Sequence, residues 1–451
     1  MITISGMRIG CSLKDNIQEL NRNKILASNV SMGVVFKFSG IIVSYLTVPV
    51  LLNYLGYEKY GVWMTIFSVL SWIYTFDVGI GNGLKIWLTE AIAKGDDETA
   101  KKLIATAYII ISVISVIFFS ALALIILLAP VQSVINSSLF SENYLKVLVA
   151  LNVAFFLSNF IISLYKQLLF SVHKSAIVTF STVINQAIVL LLLVLLPYFF
   201  DSSLIAISLA YGFSNIVVSL YFSYSFFKDR KQLVPNRSDF DKKEVKRITG
   251  VGLEFFIIQL CAIVIFATDN MIISSLLGPA EVTNYSIVNK FYQAFLIMWY
   301  VTSAPLSSLY MDAYIKRDFA WISRTMKKLH YIYLVIILLV SSSYFWIGYV
   351  LELWIGEIVA IPDILIQIFI VFVAMRIYGD LNMSFLNAIG KLKLQVFLTS
   401  IGAAVNIPLS IYFVKVHAMG ISGVILATCF SLVLVTIFMP LQVKYVLKKS
   451  S

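Results

Sequence analysis

Lys37, Lys166, Lys290 and Arg376 are basic side chains set in stretches that are otherwise apolar over membrane-spanning lengths, and Asp77, Glu254, Asp269 and Asp380 are their acidic counterparts. An ionised group in hydrocarbon costs at least about 2.5 to 3.5 kcal/mol on insertion scales, so such groups turn toward a bundle interior or a wet cavity. There a cation can hold a phosphate or carboxylate, and a buried carboxylate can exchange a proton or attract a metal cation. Gly33, Lys37, Gly40, Ser44 and Thr47 recur at helical spacing as one small and polar stripe, which aims Lys37 inward. Asn152, Asn159, Ser163 and Lys166 form a second stripe, with Lys166 close enough to its helix end to snorkel. Lys290 shares a face with Gln293.

Arg376, Asp380, Met383 and Asn387 share another face, and the i,i+4 spacing of the first two permits an ion pair. Paired, they are structural glue; if an anionic ligand competes for Arg376, Asp380 becomes a switchable partner. Lys37, Arg376, Lys290 and Lys166 are therefore the candidate ligand-binding residues. Asp77, Glu254, Asp269 and Asp380 are candidates for ion coupling, to protons or sodium, or for charge pairing. No other chemistry is written in the chain. His173, His330 and His417 are far apart, and no HExxH, GxSxG or phosphate-binding loop is present. The glycines from Gly79 to Gly83 follow an apolar helix rather than a strand, and the isolated Cys11, Cys261 and Cys429 form no metal-binding spacing. Neither a catalytic site, a metal site nor a cofactor is expected.

The elements that must position these groups are membrane helices. Hydrophobic residues make up 60% of the 451, charged residues only 13%, and the mean hydropathy is +0.91, whereas ordinary soluble domains carry about 25% charge. A bilayer core of about 30 Å needs about 20 mostly apolar residues per helix. Twelve segments qualify: 28–52, 60–80, 104–129, 145–168, 176–199, 203–227, 250–276, 283–308, 330–354, 363–388, 394–414 and 420–443. Basic residues are retained on the cytosolic side. With both termini cytosolic, only Lys59, Lys146 and Lys415 fall on the opposite side. The net charge of +11 is thereby explained by topology, and no nucleic-acid partner is expected.

The second half repeats the first at a fixed offset. Glu90 to Asp96 aligns with Asp312 to Asp318, and Leu55-Gly56 with Leu277-Gly278 at the same separation. An even number of spans per repeat leaves both copies in the same orientation, related by an axis along the membrane normal. The expected organisation is a cytosolic tail over 1–27, an N-lobe over 28–227, a basic cytosolic linker over 228–249, a C-lobe over 250–443 and a cytosolic tail over 444–451. The linker is the most basic segment, suited to fixing topology or meeting anionic lipid headgroups.

Motifs in this frame resemble a known family. Pro49-Val50-Leu51-Leu52-Asn53-Tyr54-Leu55-Gly56, Glu58-Lys59-Tyr60-Gly61-Val62-Trp63, Asp77 to Leu84 and Ala93-Lys94-Gly95-Asp96 are similar to the first two spans of bacterial polysaccharide transporters, the O-antigen and capsule-repeat flippases. Thr268-Asp269-Asn270 and Gly390-Lys391 extend the resemblance into the second half. It implies an all-α polytopic fold of 12 transmembrane helices in two six-helix lobes around a central cavity, shared with multidrug and toxin extrusion transporters. It also implies a non-enzymatic role at the bacterial inner membrane: alternating-access transfer of undecaprenyl-diphosphate-linked oligosaccharide from the cytosolic to the periplasmic leaflet. Membrane lipids, a polysaccharide polymerase and a chain-length regulator are the partners so implied. The competing expectation is a proton- or sodium-coupled multidrug extruder of the same fold.

Overall fold

The computed structural model describes residues 32–71, 80–249, 253–303, 306–356 and 361–450. Every regular element among them is helical. In chain order these are α1 (Met32–Leu55), α2 (Tyr57–Ser71), α3 (Ile80–Ala93), α4 (Asp97–Leu128), α5 (Val131–Ile135), α6 (Glu142–Ile162), α7 (Tyr165–Ser171), α8 (Ser175–Leu195), α9 (Leu204–Asp229) and α10 (Lys242–Thr249). They continue as α11 (Leu253–Phe266), α12 (Asp269–Leu277), α13 (Pro279–Ser303), α14 (Leu306–Ile315), α15 (Phe319–Ser342), α16 (Ile347–Ile355), α17 (Asp363–Ala388), α18 (Lys393–Lys415) and α19 (Ile421–Ser450).

Ten helical stretches among the described residues are long and apolar enough to cross a bilayer. The second and eighth expected spans fall on α2 and α13, which are not among those ten. For α13 the reason is its sequence: Ser286, Asn289, Lys290 and Gln293 give it a polar side, while Val282, Ile287, Val288, Phe291 and Phe295 are buried. A span that lines a wet cavity trades hydropathy for polar side chains. The expected seventh span is α11 followed by α12, interrupted at Ala267 and Thr268, so that Asp269 opens the second helix.

The internal repeat is visible in local geometry. Gly56 and Gly278 both have positive φ, at 73° and 97°, and each turns one helix directly into the next. Such a backbone favours a residue without a β-carbon. Gly95 and Arg317 also share positive φ, at 71° and 57°. Each is followed by an aspartate, Asp96 or Asp318, whose side chain accepts a hydrogen bond from the backbone N–H of Thr99 or Trp321 and caps α4 or α15. These pairs stand at the offset read from the sequence.

Packing within the helices relies on small and polar contacts, as expected where lipid competes equally for apolar side chains. Asn152 donates to Ser208, and Ser219 donates to Asn159, tying α6 to α9. The stripe on the fourth expected span is thus largely committed to a neighbouring helix. Asn406 donates to Ser431 between α18 and α19, and an added β-carbon at Gly402 would stand 2.5 Å from the Ser431 carbonyl oxygen. Cys261 and Cys429 are free and buried; Cys11 lies outside the described residues.

The N-terminal and C-terminal helices meet closely along a seam. There α2 packs on α13 and α12, and α12 packs on α5. Gly61 lets Pro279 approach so closely that an added β-carbon would lie 1.7 Å from the Pro279 carbonyl oxygen. Thr283 donates to the Tyr57 carbonyl at 2.6 Å, and Ser274 donates to the Ile135 carbonyl at 2.6 Å. The basic linker is also held in place. Trp87 of α3 donates to the Arg247 carbonyl while the Arg247 guanidinium lies 4.1 Å from the Trp87 ring centroid, and an added β-carbon at Gly83 would meet the Ile248 carbonyl oxygen at 2.0 Å.

Candidate functional site

Three adjoining cavities meet the polar side of α13, two between the N-terminal and C-terminal helices and one among the C-terminal helices alone. The first, of about 410 Å³, is walled by α1, α2, α8, α9, α12 and α13. The second, of about 420 Å³, lies among α1, α8 and α13 and shares Ser44, Gln186 and Lys290 with the first. The third, of about 270 Å³, lies among α11, α12, α13 and α17 and shares Asn289 and Gln293 with the first. The polar side of α13 is their common wall, because Asn289, Lys290 and Gln293 fall on one face of that helix.

Lys290 is the cation shared by the first and second cavities. Its Nζ donates to Ser44 Oγ at 2.6 Å and sits 5.2 Å from the Tyr45 ring centroid. The Tyr45 hydroxyl in turn donates to the Lys290 carbonyl at 2.7 Å, pinning α1 to α13. Among the described residues, no carboxylate comes within 4.0 Å of Lys290. A half-buried cation with only a neutral hydroxyl and an aromatic ring for partners retains charge for an anionic ligand.

Arg376 lines the third cavity from α17. Its Nε donates to the Tyr300 hydroxyl at 3.2 Å, and its guanidinium lies 4.0 Å from the Phe266 ring centroid. The permitted ion pair with Asp380 is not made at 4.0 Å or less; Asp380 instead accepts from the Trp299 indole N–H at 2.6 Å. Trp299 is fully buried, so Asp380 is anchored to α13 rather than to its own helix neighbour.

Asp269 also lines the third cavity. It is 3% exposed; one carboxylate oxygen accepts from the Tyr285 hydroxyl at 2.5 Å, and the other is buried without a hydrogen-bond partner among the described residues. It is the one carboxylate among the described residues that line the three cavities.

Lys37 is exposed and stands at the mouth of the second cavity with Phe36, Gly40 and Thr179. Its stripe follows the cavity inward, with Ser44 shared and Thr47 lining the first cavity. Lys166 does not join the group: it lies on the short α7, which packs on α3, α8 and α9, and lines none of the three cavities. Asp77 lies outside the described residues, as does the side chain of Glu254. Lys37, Lys290, Arg376 and Asp269 are therefore the predicted groups that the structure gathers around adjoining space. Missed in the sequence were the amides Gln186, Asn270 and Asn289, whose shared wall is set by helices distant in the chain. The spacing of Ser286, Asn289, Lys290 and Gln293 was the available signal for α13.

The chain resembles known proteins in both sequence and fold. The description "polysaccharide biosynthesis protein" matches residues 26–311. The chain belongs to that family. A Yersinia pseudotuberculosis protein named as a candidate O-antigen export protein is 25% identical over 374 residues, covering 78% of this chain and 81% of that one. A Salmonella typhimurium protein named as a candidate O-antigen transporter is 27% identical over 421 residues, covering 89% and 92%. Among solved structures, the inward-facing form of a MATE multidrug transporter of the MOP superfamily superposes with a TM-score of 0.75 at 17% identity, covering 94% of this chain and 99% of that one. An outward-facing form of a MATE transporter superposes with a TM-score of 0.64 at 16% identity, covering 94% and 96%. The family member described here is thus a multi-pass membrane protein with a MATE-type transporter fold.

Proposed function

We propose that the protein is a flippase for undecaprenyl-diphosphate-linked oligosaccharide repeat units, carrying them from the cytosolic to the periplasmic leaflet of a bacterial inner membrane. The observation that carries this reading is Lys290, a cation shared by the first and second cavities with no carboxylate within 4.0 Å among the described residues. A diphosphate leaving water needs charge-assisted donors of this kind. Arg376 supplies a second cation, and Lys37 a third at the mouth of the cavity between α1 and α8. Substrate diphosphate and sugars enter there while the polyprenyl tail stays in lipid. The family assignment and the O-antigen names of its relatives support the substrate class.

In this reading 12 spans form two six-helix lobes, 28–227 and 250–443, joined by the basic linker and with both termini cytosolic. The seam around Gly61, Thr283 and Ser274 is then the periplasmic gate, closed in the conformation described. Rocking of the lobes opens it. Asp269 is the coupling carboxylate, exchanging a proton or sodium ion as Arg376 gains and releases substrate across the same cavity. A polymerase and a chain-length regulator receive the product on the far side. A multidrug extruder of organic cations is less well served, because among the described residues Lys290 and Arg376 outweigh the single carboxylate lining the cavities.

Proteoliposomes containing undecaprenyl-diphosphate-linked oligosaccharide test the reading through leaflet-selective modification of the glycan. Wild type transfers the glycan, and Lys290→Met lowers the rate about 10- to 150-fold, the loss of one hydrogen bond to a charged group worth about 1.5 to 3 kcal/mol. Equal rates with and without wild-type protein would refute it.

A further inference from the structure

The first cavity has two chemically different ends. Lys290 is the only lysine, arginine, aspartate or glutamate among the described residues lining it, and it stands at the edge shared with the second cavity. The wall formed by α2 and α9 is aromatic. The Trp63 ring lies 5.4 Å from the Tyr211 ring and 5.9 Å from the Phe67 ring, while Phe67 and Tyr211 remain half-buried.

Facing that wall from three other helices are acceptors with nothing to accept. Gln186 Oε1 on α8, Asn270 Oδ1 on α12 and Ser286 Oγ on α13 all line the cavity, are buried, and have no hydrogen-bond partner among the described residues. An acceptor left unmet in such a place costs about 1 to 3 kcal/mol, so an occupant that donates hydrogen bonds is favoured there. Tyr60 and Tyr211 add hydroxyls to the same lining. An apolar occupant would leave all of these unmet, and an organic cation would meet Lys290 instead of a carboxylate.

We propose that this end of the cavity is a carbohydrate subsite, separate from the diphosphate position at Lys290. A pyranose has an apolar C–H face to lie on the Phe67, Trp63 and Tyr211 rings and hydroxyls to donate to Gln186, Asn270 and Ser286. The inference rests on the lipid-linked glycan reading above and deepens it. It orders the substrate along the cavity, with the tail at the α1 and α8 mouth, the diphosphate at Lys290 and the first sugar against α2 and α9.

The test uses full-length protein in nanodiscs and two probes, undecaprenyl diphosphate and undecaprenyl diphosphate carrying one N-acetylhexosamine, with affinities read by native mass spectrometry. Wild type should favour the glycosylated probe by about tenfold or more. In Gln186→Leu, and in the milder Tyr60→Phe/Tyr211→Phe double variant, that ratio should fall toward one. If wild type binds both probes equally, or if neither variant changes the ratio, the subsite is overturned while diphosphate recognition stands. If wild type binds neither probe, the flippase reading fails and the subsite falls with it.

Discussion

Replacing Gly61 with alanine should force the seam between α2 and α13 open. The added β-carbon would lie 1.7 Å from the Pro279 carbonyl oxygen and 2.5 Å from its carbon, both backbone atoms that cannot rotate aside. Ordinary contact needs about twice the shorter distance, so the helices must part by more than an ångström. That movement also breaks the 2.6 Å hydrogen bond from Thr283 to the Tyr57 carbonyl. Overpacking costs about 1 to 3 kcal/mol and the hydrogen bond about 1 kcal/mol. Together they shift the closed-to-open ratio by about 30- to 1,000-fold, since each 1.4 kcal/mol is a factor of ten. Spin labels at the exposed Asn53 and Ala280, in a background with the native cysteines replaced by serine, would report the separation. The distance distribution should lengthen in Gly61→Ala and stay unchanged in Gly33→Ala, where an added β-carbon meets nothing within 4 Å. A folded Gly61→Ala protein with the wild-type distribution would refute the reasoning.

Trp299→Phe removes the donor that Asp380 uses and should destabilise the protein by about 1 to 3 kcal/mol, seen as a lower Tm in detergent; an unchanged Tm would mean that Asp380 finds another partner. Gly83→Ala should lift α10 from α3, because Ile248 has no room to yield, and proteolysis of the basic linker should become faster than in wild type. The Thr99 side chain and backbone N–H hold the Asp96 carboxyl below its ordinary value of 3.8. A depressed carboxyl stabilises the fold above its unfolded value, and the contribution is lost as pH falls through the folded one. The Tm advantage of wild type over Asp96→Asn should therefore hold at neutral pH and shrink on acidification below about pH 4, toward loss at still lower pH. An advantage that grows on acidification would invert the assignment.

How much of this was legible before the coordinates depended on the range of each interaction. Hydropathy over about 20 residues reports burial in lipid directly, so the long helices follow from composition alone. The repeat was legible because its marks are local: a glycine or arginine of positive φ, then a capping aspartate, at the same offset twice. Helical spacing also placed Lys290 and Gln293 on one face. Spacing could not supply partners from elsewhere in the chain. Arg376 and Asp380 satisfy the i,i+4 rule, yet Tyr300 and Trp299 of α13 engage them first. Lys166 has the same pattern of polar neighbours as Lys37, but Asn152 and Asn159 turn that pattern toward α9 rather than toward a cavity. The break before Asp269 carries neither proline nor glycine, so an apolar run concealed it.

The central claim is that an unpaired cation in the cavity carries a lipid-linked diphosphate glycan across the membrane. The most direct measurement is the leaflet distribution of undecaprenyl-diphosphate-linked repeat units in cells that lack this protein and are complemented by wild type or Lys290→Met. The account predicts accumulation in the cytosolic leaflet, cleared by wild type but not by Lys290→Met at equal membrane abundance. Normal surface glycan and no accumulation in the deficient cells would contradict it.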